Sequence, residues 1–517
     1  MFVRKRLKVL ILALLCLVFA LAGSVAAEDT LNEFVIGVSE TVVTLDMSVR
    51  SPSLAHKQVS YAIYEPLLRL GTDGSINPAL ATDWTMSDDR LTITLNLREG
   101  VSFHDGSLLD ADTVVWNING ALDPDFGDGA LADYGRIESV EALDDLTVQI
   151  NMSAPDANIL PALSAGSDAR ALIMSREAYE ALGADEYAFN PSGTGAFKLA
   201  SWEPGVELVL ERSEDYWGES AGNADRVMFR VILDASAATL NYQSGDIHTI
   251  FSISAPELPL LEAVPGTVSG AVARGVNVLA LNLHRPPFDN IHNRRAVMYA
   301  LDVEPVINLV YGGLAQPARG ITPPNSFAFS EESPPLIARD LDAARAELAV
   351  AGNSDGFEFE VSVVAQPFRI QVLEIMQASL AEVGISLIIQ ANERARHIAA
   401  LREDIDIAEA GFVQILAALS APEAYLSRFA GCSATIMIVR YCTDEYEALM
   451  AELPGLFDSA ERAAHVRHMN EVAWRDTIVV PYLYPEIPYV YRGDIIEGFA
   501  LNGYGLLDWT NFTVVGG

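Results

Sequence analysis

"FEFEVSVVAQPFRIQVLEIMQASLAEVGISLIIQANERARHIAALREDIDIAEAGF" runs from Phe357 to Phe412. In "FEFEVSVVA", Phe357, Phe359, Val361 and Val363 alternate with polar neighbours, the period of a strand with one face in a core. In "IQVLEIMQASLAEVG", Val372, Ile375, Met376, Leu380 and Val383 fall at helical spacing, and Gly384 supplies the stop. "ISLIIQ" then reads as a strand, "ERARHIAALRE" as a helix and "IDIAEAGF" as a strand. The order β-α-β-α-β is that of a mostly parallel sheet covered by helices, so the fold class is α/β.

Other segments agree. "LTITLNL" (Leu91 to Leu97) alternates as a half-buried strand, and "DRVMFRVILD" (Asp225 to Asp234) is rich in β-branched and apolar residues. "FDNIHNRRAVMYALD" reads as a helix opened by Asp289 as its cap. "EPVINLVYGG" places Pro305 in a first turn and glycines at the end. There is no internal repeat or low-complexity tract, and beyond the N-terminal run none is long and apolar enough to span a membrane.

The chain has 517 residues, half of them hydrophobic, and a formal charge of −37. Arg4, Lys5, Arg6 and Lys8 precede the apolar run "VLILALLCLVFALAG" (Val9 to Gly23), and "SVAA" ends at Ala27. This is the pattern of a secretory signal, residues 1–27, with cleavage expected after Ala27 and the mature chain in the periplasm. An uncleaved anchor is the alternative, but the apolar core is shorter than the ~20 residues that span a bilayer. Cys16 lacks the small preceding residue of a lipoprotein signal. Without the four N-terminal basic residues, 29 basic residues face 70 acidic ones, a charge of −41. Such a polyanion repels phosphate backbones, so no nucleic-acid partner is expected.

Of three cysteines, Cys432 and Cys442 lie outside the signal. An even pair in an exported chain points to a disulfide closing "CSATIMIVRYC", worth ~2–3 kcal/mol in the chain-entropy model. Metal binding by two lone thiols is the weaker reading.

"LREGVSFHDGSLLDADTVVWNI" (Leu97 to Ile118) gathers His104, Asp105, Asp110 and Asp112. A metal site would need further ligands at workable spacing. The structural reading is simpler: Asp105-Gly106 is a turn dipeptide, and Asp110 or Asp112 caps a helix. His465 and His468 in "HVRH" could share one helix face, which reads as solvated. "PSGTGAF" (Pro191 to Phe197) lacks the Gly-Lys-Ser/Thr ending of a phosphate loop. No motif sets a nucleophile beside a base. The expectation is a non-enzyme with no catalytic residue, no metal and no cofactor.

Several ordered motifs carry a resemblance. "ALATDWTMSDDRLTITLNLREGVSFHDGSLLDADTVVWNI" resembles the fingerprint of family 5 extracellular solute-binding proteins, the peptide, opine and nickel receptors of ABC importers. "TLDMS" and "YAIYEPLLRL" resemble the family's opening. "NPSGTGAFKLASWEPGVELVLERSEDYWG" is similar to its central motif, and "LNLHRPPFDNIHNRRAVMYALD" to the segment entering the second lobe. "DLDAARAELAVAG" and "RYCTDEYEALM" match later landmarks, so the resemblance covers the mature chain. It implies a two-lobed periplasmic-binding-protein fold of type II, with an extra subdomain inserted in the first lobe and the ligand enclosed between lobes. The implied division is 28–58, 190–269 and 484–517 for the first lobe, 59–189 for the inserted subdomain and 270–483 for the second lobe, with a hinge near Gly270 to Asn277 and Tyr482 to Pro488. The implied partners are a small-molecule ligand, peptide-like or carboxylate-bearing, and ABC permease subunits in the inner membrane. A monomer is the family default. An exported α/β hydrolase and a sensor accessory for chemotaxis or signalling are the alternatives; turnover would mark the first, and a neighbouring permease operon would speak against the second.

The resemblance also places candidate ligand-binding residues. Peptide-binding members hold an α-ammonium with an Asp three residues after a Trp. In "EAGFVQILAALSAPEAY", Phe412 replaces that Trp and Ile415 stands where the Asp would be, with Gln414 beside it. An isoleucine cannot neutralise an ammonium. Where the family has Glu-Trp, this chain has Glu393-Arg394. "QPFRIQVLEIMQ" keeps Arg369 close to the carboxylate-binding Arg of dipeptide receptors. Arg369 and Arg394 suit an anion through their planar forks, or else pair with acidic neighbours. Tyr482 and Tyr484 in "VVPYLYPEIPYVYR" are cleft-facing aromatics or core residues.

Overall fold

The structure is a computed structural model that describes residues 31–515 except 49–52, 72–74, 124–133, 165–170, 219–221, 255, 274, 325, 333–337, 403–408, 416–422, 503–504 and 510–511. The signal expected at residues 1–27 lies outside the described residues.

The stretch Phe357–Phe412 folds as strand Glu358–Val364, helix Pro367–Ala381, strand Ser386–Asn392, helix Arg394–Arg402 and strand Ala410–Ile415. The first strand pairs in parallel with both of the others. Gly384, at φ +83°, turns the chain out of the longer helix. The sheet continues through strand Val276–Leu281, buried at every position because helices cover both faces. On one face lie the helices Ile291–Ala300, Leu341–Ala351 and Pro367–Ala381, packed through Phe288, Val297, Leu348, Phe359 and Leu373. On the other lie Asp444–Glu452 and Ser459–Arg475, packed through Tyr446, Val466 and Met469. These layers form the second lobe. The helix Ile291–Ala300 is capped by Asn290, not Asp289. Asn290 is the residue that stays extended before the first turn, and its side chain accepts from the His292 amide at 3.0 Å.

The first lobe is built on strand Glu33–Val38, parallel to Arg226–Val231 and Thr249–Phe251. Its core holds Phe34, Ile36, Phe197, Phe229 and Phe512, together with Val59 and Ile63 of helix Leu54–Ile63. A separate core lies between helix Ala111–Leu122 and a four-stranded antiparallel sheet made of Ala81–Met86, Thr92–Leu97, Thr147–Met152 and Ile137–Asp144. Asp110 caps that helix through the Thr113 amide.

One strand serves both lobes. Val479–Arg492 pairs with Val276–Leu281 through its first half and with Thr249–Phe251 and Thr267–Ala273 through its second. The first lobe's strand Thr267–Ala273 and the second lobe's strand Val276–Leu281 are successive in the chain, and the shared strand makes the return crossing.

Two polar networks tie together the segments around the inserted sheet. His104 Nε2 meets the Gly195 carbonyl at 2.9 Å, and its Nδ1 accepts from the Gly193 amide at 3.4 Å. The imidazole is therefore neutral, with its proton on Nε2. The Glu65 carboxylate accepts from Arg69 at 2.6 Å, Tyr216 at 3.0 Å, Thr194 at 3.1 Å and the Trp217 indole. The glycines of "PSGTGAF" serve close backbone approach: a Cβ on Gly193 would lie 2.1 Å from the Ile63 carbonyl.

Candidate functional site

In open α/β sheets, ligands bind beyond the carboxyl ends of parallel strands. In the second lobe those ends are Val364, Asn392 and Ile415, the first two directly paired in register. Each of the first two strands runs into a helix that presents an arginine at its start. Arg369 lies in the first turn of Pro367–Ala381, and Arg394 opens Arg394–Arg402. Helix N-termini favour negative charge, so arginine and helix act together on an anion.

Arg369 is half-buried and Arg394 exposed. Burial holds the Arg369 guanidinium below its ordinary pKa. Tyr482 and Tyr311 act against that shift and Arg394 adds to it. The two arginines thus lie close enough to feel each other, and the phenol groups of Tyr482 and Tyr311 lie near the Arg369 guanidinium.

Tyr482 and Tyr484 are both buried, at 2% exposure, but on opposite faces. Asn277 pairs with Leu483 while Val278 pairs with Pro481, so Tyr482 is the extra residue of a bulge that re-aims its side chain. It packs toward Arg369, beside Tyr311 and Asn277, and burial pushes its hydroxyl far up. The Asn277 amide donates to the Tyr311 hydroxyl at 2.8 Å. Tyr484 is a core residue: its hydroxyl accepts from the Arg319 and Gly320 amides, each at 3.1 Å, and its ring meets Phe329 edge-on.

The backbones of Phe412, Gln414 and Ile415 lie in strand Ala410–Ile415, opposite Leu279, Asn277 and Val276. Their side chains lie outside the described residues. The structure brings Arg369, Arg394 and Tyr482 together at one edge and sets Tyr484 apart. Asn277 and Tyr311 join that edge without having been singled out from the sequence. Asn277 carried a signal, a polar residue within the apolar run "VNVLAL" that is fully buried.

Cys432 and Cys442 are joined in a disulfide, with Cα atoms 4.6 Å apart. His465 contacts the Leu449 carbonyl at 2.8 Å, and His468 faces Glu471 across 3.7 Å. Among the described residues no three His, Cys, Asp or Glu side chains come together as metal ligands, and no helix is long and apolar enough to cross a membrane.

A family model described as bacterial extracellular solute-binding proteins, family 5 middle, matches residues 75–435. The glutathione-binding protein GsiB of Salmonella paratyphi A is 29% identical over 385 residues, 73% of each chain. The periplasmic binding protein DppA of Helicobacter pylori, solved with the peptide STSA, is 25% identical with a TM-score of 0.76, covering 92% of this chain and 97% of its own. HbpA2 of Haemophilus parasuis superposes with a TM-score of 0.81 at 22% identity, covering 93% and 100%.

Proposed function

The chain belongs to the bacterial extracellular solute-binding proteins of family 5, and we propose that its solute is a small, peptide-like anion held by Arg369 and Arg394 between the two lobes. As a member, it is the substrate-binding component of an ABC importer and not an enzyme. The observation that carries the ligand reading is the pair of arginines at the starts of two neighbouring helices, at the carboxyl ends of two paired parallel strands.

A carboxylate docked there receives charge-assisted hydrogen bonds of roughly 1.5–3 kcal/mol each. Tyr482, Tyr311 and Asn277 would brace Arg369 from below. The chain's net charge of −37 opposes an anion's approach, but salt screens that field beyond about 10 Å, so the local arginines decide. Ile415 offers no charge to an ammonium, so a free α-amino group is not required. GsiB, as its name says, binds glutathione, which carries two carboxylates on a peptide-like frame. A bare metal cation fits this edge poorly.

The remainder of the proposal concerns arrangement. The lobes divide at 28–58, 190–269 and 484–517 against 270–483, with 59–189 inserted. Helix Leu54–Ile63, which that division splits, packs as one piece in the first-lobe core. Capture closes the lobes about the shared strand, and the closed monomer docks on the permease subunits in the inner membrane. The mature chain, freed of residues 1–27, works in the periplasm.

The test is calorimetry with glutathione, N-acetylated glutathione and matched dipeptides on wild type, Arg369→Ala and Arg394→Ala. Binding of an anionic peptide that survives acetylation and falls at least tenfold in either variant supports the reading. Tight binding of plain dipeptides that acetylation abolishes would overturn it, as would anion binding indifferent to both substitutions.

A further inference from the structure

A cavity of about 370 Å³ lies in the first lobe, and none of the residues lining it comes from the second lobe. It opens at the far end of helix Leu54–Ile63. Leu54, at the near end, borders a small hollow with Val38 and Glu40 at the carboxyl end of the first strand. Tyr61, seven residues on from Leu54, is the first helix residue to line the cavity, which therefore begins roughly 10 Å from that end.

Tyr61, Tyr216 and Trp509 line the cavity, together with the charged residues Glu65, Arg69 and Asp508. Glu65 is buried and already paired with Arg69, and Asp508 also acts on that guanidinium. The charged side chains lining the cavity are thus two carboxylates and one guanidinium, unlike the edge holding Arg369 and Arg394. Trp509 adds a separate observation. It is only 5% exposed, packed edge-on against Phe197 and Phe512, and its indole N–H has no acceptor among the described residues. Buried donors are normally paired.

We propose that this cavity is a second ligand site, separate from the interlobe cleft, that takes a small amine bearing an aromatic ring and a hydrogen-bond acceptor. The ammonium lies against Asp508 and the tyrosine faces, where ring quadrupole and carboxylate both attract a cation. The acceptor meets the Trp509 indole. The volume is at the lower end for small-molecule pockets, which suits a single-ring compound.

The probe is tyramine, whose ammonium and phenol meet these requirements. Its controls are N-acetyltyramine, which lacks the charge, and 3-(4-hydroxyphenyl)propionate, which reverses it. Titrations followed by calorimetry and saturation-transfer NMR would use the full exported chain as wild type, Asp508→Asn, Tyr61→Leu and Arg369→Ala. Tyramine should bind saturably and at least tenfold more tightly than either control. Asp508→Asn, which preserves size, should weaken it at least tenfold, Tyr61→Leu several-fold and Arg369→Ala not at all. Absence of saturable tyramine binding to wild type would overturn the proposal. So would loss of binding in Arg369→Ala with Asp508→Asn unaffected, which would put the probe in the interlobe cleft.

Discussion

The Arg462 guanidinium, on helix Ser459–Arg475 of the second lobe, donates to the Ala157 carbonyl of the inserted subdomain at 3.1 Å. The Ala157 amide in turn donates to the Pro454 carbonyl at 2.8 Å. Arg90 of the inserted subdomain stacks over the Phe457 ring, 5.0 Å from its centroid. The lobes therefore touch here as well as along their shared strand.

Replacing Arg462 by Met keeps most of the side-chain volume and removes the donor. A hydrogen bond from a charged group contributes about 1.5–3 kcal/mol, enough to shift a two-state balance tenfold or more. The ligand-free variant should scatter with a larger radius of gyration than wild type. Superimposable curves would show that this contact does not hold the lobes together.

His104 makes stability depend on pH. Burial holds its imidazole down to about 4, with the Gly195 carbonyl working against the shift. An unfolded chain titrates its histidines near 6.5, so between roughly pH 6.5 and 4 the unfolded state binds more protons. The contribution is complete above the upper value and is lost as pH falls through the window, by at most about 3 kcal/mol. His104→Gln keeps a donor for Gly195 and does not titrate. Its melting temperature should fall less steeply than that of wild type from pH 6.5 to 4, and parallel slopes would exclude His104 as the source.

Gly193→Ala should destabilise the chain by about 2–3 kcal/mol through overpacking, because the new methyl meets the Ile63 carbonyl and the Tyr64 ring. Gly205 is a control: it has φ +78° but nothing within 4 Å of an added Cβ. Gly205→Ala should cost only about 1–2 kcal/mol, from backbone conformation alone. Urea unfolding of both variants measures the difference; equal losses would remove the close-approach argument.

The disulfide between Cys432 and Cys442 should leave no reactive thiol in the denatured, non-reduced mature protein. Closing so short a loop stabilises by about 2–3 kcal/mol in the chain-entropy model, so a Cys432→Ser, Cys442→Ser double variant should melt several degrees lower. Labelling that recovers two thiols from wild type would refute the bridge.

Much of the second lobe was legible in one stretch. Phe359, Val361 and Val363 alternate, and Val372, Met376 and Leu380 recur at helical spacing, because side-chain direction is set by backbone period over a few residues. The Asp110 cap and the Asp105-Gly106 turn, with Gly106 at φ +89°, are equally local. Asp289 marks the limit of local reading. It and Asn290 both have capping side chains, and the backbone angles chose Asn290. Tertiary structure alone decided which residues surround Arg369. A bulge opposite Asn277 and Val278 sends Tyr482 and Tyr484 to opposite faces, which no alternation in "VVPYLYPEIPYVYR" reveals. Glu65 gathers Thr194, Tyr216 and Trp217, and Arg462 finds Ala157, only once distant segments pack. Periodicity encodes how each segment folds against its own neighbours. The choice of partner for a strand, a carboxylate or a guanidinium depends on register and packing between segments far apart in the chain, and those exist only in the folded molecule.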